Sequence, residues 1–335
     1  MNTPFFKRLT FPLDIDTEDM NEYNKIIREE IIDKNRQNQI PYVENNCLLS
    51  INNTNNLLLA TTDRYGIPIN TILNLETGLI RSDPYYTNDW LKFFYKNYYR
   101  DLYTNGLMSN SRTIIEQITR GETYLKIIED NNLKFNTILD YGCGMGGMLI
   151  PFAIRGYKTY GIDYGEDFIE IGKNIGFNEL YIGGIDELIN NNKKFDLIIL
   201  SHIIEHIPDL DVFLNKIKLI MNPGAHIFIA VPGIDNIHID YKSNFLLYLQ
   251  SAHCWYFTKN TLTAVLNKFN FEIKHINDEI TCLACYNNNL NRPINLNNEA
   301  QRILNKLNYY ESNRITSKFK IFIQKSLKYF LHKLK

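Results

Sequence analysis

Ten residues constrain this chain more than any others: Ile138-Leu139-Asp140-Tyr141-Gly142-Cys143-Gly144-Met145-Gly146-Gly147. An apolar run leads straight into a glycine-rich loop, which then opens a helix. Glycine holds backbone angles that other residues resist, and it lets a ligand approach the chain closely. The start of the helix presents free N–H groups. A glycine loop after a strand is weak by itself, because dinucleotide-binding folds share it. Two carboxylates separate the cases. Asp140 stands just before the first glycine, where it would repel a pyrophosphate but suit a ligand bearing an amino group. Asp163 ends the next predicted strand, Thr159–Asp163, where a carboxylate can accept from both hydroxyls of a ribose. Cys143 reads as a small loop residue, not a nucleophile.

The surrounding pattern is α/β alternation. Predicted strands are Thr137–Tyr141, Thr159–Asp163, Leu180–Ile182, Phe195–Ser201, Ala225–Val231, Phe271–Asn277 and Ile280–Tyr286. Predicted helices are Met148–Arg155, Gly165–Ile175, Leu210–Leu219 and Thr258–Phe269. Strands alternating with helices imply a Rossmann-like, doubly wound, mostly parallel sheet covered on both faces. The short link between the last two strands implies an antiparallel pair at the sheet edge. Cys282 and Cys285 share that last strand with an odd offset, which points them to opposite faces and reads as core, not metal.

Upstream, Glu18–Lys34 and Ser111–Asp130 carry apolar residues at helical spacing, and the aromatic stretch Trp90–Tyr103 reads as helical. Leu57–Thr61 and Ile69–Leu75 flank the turn signal Asp63-Arg64-Tyr65-Gly66, which marks a small β-rich module. The chain divides into a 1–40 extension, a 41–105 module, a 106–286 main domain, and a 287–335 tail of Asn-rich linker and basic helix. That tail is uneven in charge: from Gln301 onward it is +8, so the rest is −9, for −1 overall. Such a balance disfavours a protein that coats nucleic acid. Five cysteines, an odd number, suggest a reducing compartment, and neither a signal peptide nor a bilayer-length apolar run is seen. The expected location is therefore the cytoplasm.

The segments ILDYGCGMGG, GID at 161–163, FDLIILSHIIEHIPD at 195–209, MNPGAHIFIAVPG at 221–233 and HCWYFTKNTLTAVLNKFNF at 253–271 together resemble the class I methyltransferases that bind S-adenosylmethionine. The resemblance implies that Asp140, Gly142 and Gly144 surround the methionine part of the cofactor and that Asp163 holds its ribose. It implies that Gly183–Asp186 lines the adenine, with Ile185 against it, and that Ser201 and His202 lie under the methionine moiety. Methyl transfer to oxygen or nitrogen often needs a base, and histidine suits that role near neutral pH. His206 follows the fourth strand at the carboxyl edge of the sheet, and His253 opens the segment that lies near the acceptor pocket in similar proteins. Both are candidate catalytic residues; His202, His238 and Tyr256 are further ones. The competing reading is that Glu205 and His206 only stabilise their loop. These histidines form no metal-binding spacing, so no metal site is expected.

Residues 42–103 resemble an N-terminal module found in a subset of these enzymes, several of which act on sugars or cell-surface glycans. There, two C-x-x-C pairs hold zinc. The equivalent positions here are Cys47, Ser50, Asn74 and Thr77, three of which are poor zinc ligands. The module is expected to keep its shape by packing of Leu57–Leu59, Ile69–Leu75 and Leu79-Ile80. The last segment, with Ile315, Phe319, Phe322, Ile323, Leu327, Phe330, Leu331 and Leu334 on one face, forms a basic amphipathic helix. Such a helix can cover a membrane surface at the inner face, another subunit or its own domain. The expected acceptor is a small or surface-linked molecule, a sugar or glycan precursor. A quinone-like acceptor and a non-catalytic scaffold are the alternatives. No Asn-Pro-Pro-aromatic signature of DNA amino-methylation is present.

Overall fold

A computed structural model describes residues 3–12, 20–50, 53–104, 110–131, 133, 135–288, 290 and 294–314. The apolar helix expected after residue 314 lies outside the described residues.

Among the described residues thirteen strands run in chain order: β1 Tyr42–Val43, β2 Asn56–Thr62, β3 Pro68–Asn74, β4 Ile80–Ser82, β5 Tyr85–Tyr86, β6 Thr137–Tyr141, β7 Lys158–Asp163, β8 Leu180–Ile182, β9 Phe195–Ser201, β10 Met221–Ala230, β11 Trp255–Tyr256, β12 Phe271–Ile276 and β13 Thr281–Tyr286. Seven of them form one sheet in the order β12-β13-β10-β9-β6-β7-β8. The pairings β10–β9, β9–β6, β6–β7 and β7–β8 are parallel. This is the expected Rossmann-like α/β sheet. The antiparallel strand is β13, which pairs with both β10 and β12 and so sits one place in from the edge.

β6 and β9 read as nearly unbroken apolar runs because both of their faces are covered; Leu139, Leu197, Ile198 and Ile199 are fully buried. From β6 the chain moves outward to β7 and β8, then returns to the other side with β9. The order therefore reverses between β6 and β9, and a ligand crevice opens outside the carboxyl ends of strands at such a point. A helix at Ile185–Asn190, capped by Gly184, was not expected from the sequence. β10 also starts earlier than read, with a bulge between Met221 and His226.

The N-terminal module is built onto this sheet domain. Strands β2, β3 and β4 form a second sheet whose fourth member is β11, contributed by residues 255–256. The tip of the β2–β3 hairpin is held by the same stretch: Ser251 N donates to the Asp63 carboxylate at 3.0 Å, and Arg64 N donates to Leu249 O at 3.0 Å. Leu59, Ile69, Leu73, Leu79 and Ile80 are buried, as the packing expectation required, while Leu75 is exposed. At the four positions matching the zinc ligands, Thr77 Oγ1 donates to Asn74 Oδ1 at 2.9 Å and lies 3.5 Å from Cys47 Sγ. Ser50 donates to Glu76 instead. Fully buried Arg81 ties the module loops through Asn45 O, Asn53, Asn56 and Asp83.

Residues 299–314 are helical, and Ala300, Ile303, Leu304, Leu307 and Tyr310 pack with Leu59, Ile80, Ile234, Phe245 and Tyr256. This core joins the module, the sheet domain and the first part of the tail. Arg302 and Lys306 both reach the Asp235 carboxylate, and Arg302 also reaches Glu299. Among the described residues no helix is long and apolar enough to cross a membrane.

Candidate active site

The site divides into two halves. The first follows β6 and β7. The expected helix Met148–Arg155 is a 3-10 turn, Gly147–Leu149, followed by Ile150–Ile154. Gly142 and Gly144 have φ of +79° and +52°, where a side chain would strain the backbone. A Cβ on Gly142 would also meet Ile203 Cδ1 at 2.5 Å. Asp163 organises the loop: one oxygen accepts from Gly144 N at 2.9 Å, the other from Gly165 N at 2.7 Å. Each oxygen keeps a lone pair for a hydroxyl donor.

Asp140 is the exceptional residue. It is fully buried, and neither carboxylate oxygen accepts a hydrogen bond among the described residues. Burial, and next the charge of Asp163, push its pKa up to about 8. A buried carboxyl without a partner is costly, and sites that bind ligands are where such costs are held. A ligand ammonium placed there would satisfy it. The residues thus fit S-adenosylmethionine, which carries an ammonium and a ribose.

Ile185 starts the helix after Gly184 and packs into the main core. The Tyr141 hydroxyl reaches the backbone of Ile185 and the Tyr164 side chain. Gly184 must be small, because a Cβ there would meet Tyr164 Oη at 2.0 Å. Ser201 Oγ lies 2.9 Å from Tyr124 Oη. His202 has φ +55°, and its Nδ1 is 3.3 Å from Glu205 Oε1.

The second half gathers residues distant in sequence. Cys254 N donates to Glu205 O at 2.9 Å and Trp255 Nε1 to Ile207 O at 2.8 Å, stitching the loop after β9 to the start of β11. The two candidate bases meet as a result: the His206 and His253 rings are edge-on with centroids 4.6 Å apart. His206 Nδ1 lies 2.9 Å from both Ala252 O and the Tyr95 hydroxyl. A carbonyl only accepts, so Nδ1 carries the proton and Nε2 presents its lone pair. Burial lowers the His206 pKa against the opposing charge of Glu205. Burial, then the neighbouring charges of His206, Arg64 and His202, hold His253 well below the usual histidine range. Both rings are neutral at pH 7, the state a proton acceptor needs.

Glu205 is buried, and neither of its oxygens makes an aligned hydrogen bond, although His202 is within ion-pair distance. The donor atoms of Glu205, His206 and His253 all lie within 4.8 Å of one another. One carboxylate and two imidazoles could hold a divalent cation. Spacing could not show this grouping, because His253 comes from a separate segment. His238 lies instead beside Tyr310, away from this pair. Tyr256 is occupied structurally: its hydroxyl donates to Gln250 O at 2.9 Å.

Sequence reasoning missed several contributors. Tyr95 and Tyr99 sit on a π-helical turn, Tyr95–Tyr99, and both rings face His206 at centroid distances of 6.2 and 6.0 Å. Such turns re-aim side chains and recur at functional sites. The four-residue spacing of Tyr95, Tyr99 and Tyr103 was the available signal. A cavity of about 420 Å³ opens beside His202, lined among others by Tyr124, Pro232, Asn236 and Tyr241. No local pattern announced it.

Residues 115–276 match a family model described as a methyltransferase domain. The chain is 33% identical over 105 residues to a ubiquinone biosynthesis O-methyltransferase of Pelagibacter ubique, covering 30% of this chain and 44% of that protein. It is 32% identical over 105 residues to the enzyme of that name from Bartonella tribocorum, covering 30% of this chain and 41% of that one. The chain thus spans less than half the length of these curated relatives. Among solved structures it is similar to a SAM-dependent methyltransferase of Archaeoglobus fulgidus, with 22% identity and a TM-score of 0.39 over 49% of this chain and 73% of that one. It is also similar to the plantazolicin methyltransferase BpumL in complex with SAH, with 16% identity and a TM-score of 0.46 over 65% of this chain and 89% of that one.

Proposed function

We propose that this chain, whose residues 115–276 are a class I methyltransferase domain with S-adenosylmethionine as its cofactor, moves the cofactor's methyl group to a small-molecule acceptor. The observation that carries the reading is Asp140, a buried carboxyl with no partner at the mouth of the glycine loop. Asp140 would meet the cofactor's amino group, and Asp163 the ribose hydroxyls. Gly142 and Gly144 would let the backbone approach, and Ile185, Ser201 and His202 would complete the wall. The cofactor's sulfonium supplies the electrophilic methyl group.

The residues of this chain supply the rest. His206 has its tautomer set by Ala252 O and directs Nε2 toward Glu205 and His253. A proton taken by Nε2 would make an imidazolium beside Glu205, whose charge would stabilise it. His253 is the second candidate for that proton.

A small-molecule acceptor is supported by the relatives named for ubiquinone biosynthesis. A sugar or glycan-precursor acceptor is the second reading, resting on the resemblance of residues 42–103 to the N-terminal module of enzymes that act on glycans. The scaffold reading gives no reason for the cost of an unpaired Asp140.

Calorimetric titration with S-adenosylhomocysteine tests the cofactor site. Micromolar binding, weakened in Asp140→Asn, supports it; no binding by the folded protein overturns it. Labelled cofactor offered with phenolic acceptors and with sugar nucleotides would then separate the two acceptor readings.

A further inference from the structure

Arg64 occupies the tip of the β2–β3 hairpin, and its backbone is held on both sides. The Asp63 carboxylate accepts from Tyr65 N, Ile67 N and Ser251 N, and Arg64 N donates to Leu249 O. The guanidinium lies 5.2 and 5.3 Å from the ring centroids of Tyr65 and Tyr103. Nη1 donates to Leu247 O at 3.2 Å, while the buried Nε has no hydrogen-bond partner.

The other buried or half-buried arginines differ. Arg8 faces Glu311, Arg28 faces Glu29, Arg81 faces Asp83, Arg302 faces Asp235 and Glu299, and Arg314 faces Glu311. Among the described residues Arg64 has no carboxylate within ion-pair distance. A half-buried cation with an unsatisfied N–H is destabilising unless an anion meets it, and the guanidinium fork matches carboxylate and phosphate oxygens.

Its place gives this charge a purpose. Tyr103 stacks toward Tyr99 at 5.0 Å, and Tyr99 faces His206. On the other side, Arg64 Nη1 and N donate to Leu247 O and Leu249 O, the stretch that runs on to His253. Arg64 is therefore linked to His206 through the Tyr103 and Tyr99 rings.

We infer that Arg64 is the docking point for a carboxylate or phosphate group carried by the methyl acceptor, which makes the acceptor class anionic small molecules. This rests on the methyltransferase reading above for the identity of the bound molecule as acceptor. The module would then contribute to recognition as well as to packing.

The test is titration of the full chain, saturated with S-adenosylhomocysteine, with two probes: benzoate and inorganic pyrophosphate. Wild type, Arg64→Lys and Arg64→Gln are compared. We expect at least one probe to bind wild type and to weaken at least tenfold in Arg64→Gln, with Arg64→Lys intermediate. Affinity for S-adenosylhomocysteine should be the same in all three. The preferred probe tells carboxylate from phosphate. Equal probe binding by wild type and variants, or binding of neither probe, overturns the inference. If Arg64→Gln fails to fold, Arg64→Lys keeps the charge without the fork and decides the question. Failure of wild type to bind S-adenosylhomocysteine would sink the methyltransferase reading separately, since the probe titration can be run without it.

Discussion

The proposed cofactor half and the proposed acceptor half of the site differ in how they are made. The cofactor half comes from consecutive strands and the loops between them: Asp140, Gly142, Gly144 and Asp163 lie within one strand–loop–helix–strand unit. Its geometry is held by backbone hydrogen bonds to one carboxylate. The proposed acceptor half draws on the π turn at Tyr95–Tyr99, the loop after β9, and residues 252–256. It is held by side chains and by contacts that cross the whole chain. The first arrangement is local and cheap to form. The second exists only when module and sheet domain pack together, so its loop-closure entropy must be met by tertiary contacts.

The strongest way to break this comparison is at the histidines. Removing a general base typically costs about 10²–10⁴ in rate. We expect His206→Ala to lower turnover by that order while leaving S-adenosylhomocysteine affinity unchanged. Loss of cofactor affinity would mean the two halves are not separable.

Asp140→Asn should act the other way. A hydrogen bond to a charged group is worth about 1.5–3 kcal/mol, so cofactor affinity should fall about 10- to 100-fold. Its pKa is raised from 3.8 to about 8 in the folded protein, so the native state holds this proton more tightly than the unfolded chain. The associated stability is present below about pH 4 and is lost as pH rises toward 8. The variant should therefore have a higher Tm than wild type at pH 8 without ligand, and the difference should shrink at pH 5. Cofactor affinity of the wild type should rise from pH 6 to about pH 8 as Asp140 ionises. A flat profile would show that this carboxyl does not meet the ammonium.

Tyr95→Phe removes one neutral hydrogen bond to His206, worth about 1 kcal/mol, so turnover should fall roughly fivefold with cofactor affinity intact. Arg302→Met is the smallest change. The Arg302 side chain is 40% exposed, so solvent screening limits its loss to about 1 kcal/mol or less of stability, read from denaturant midpoints. A larger loss would show that the helix at 299–314 is a structural keystone for the loop carrying Asp235.

Legibility followed the same division. The strands Thr137–Tyr141, Leu180–Ile182 and Phe195–Ser201 and the helix Leu210–Leu219 match their sequence-based bounds residue for residue. Their apolar runs and turn residues are local signals. Short β11 was unreadable, because two residues become a strand only when β4 offers an edge. The helix at 299–314 begins inside a stretch read from composition as linker. Its apolar residues are buried by the module and the sheet domain together.

The sequence by itself determined the sheet domain, the glycine loop and the two acids that mark a cofactor site. Each depends on backbone conformations and periodicities set within a few residues. Only the tertiary structure decided that His206 and His253 meet, that Glu205 is buried beside them, that Ala252 O sets the His206 tautomer, and that Arg64 has no carboxylate within ion-pair distance among the described residues. These are relations between side chains brought together by packing, and in such a crowded interior a charge or a proton acceptor takes its character from neighbours that the linear order does not name.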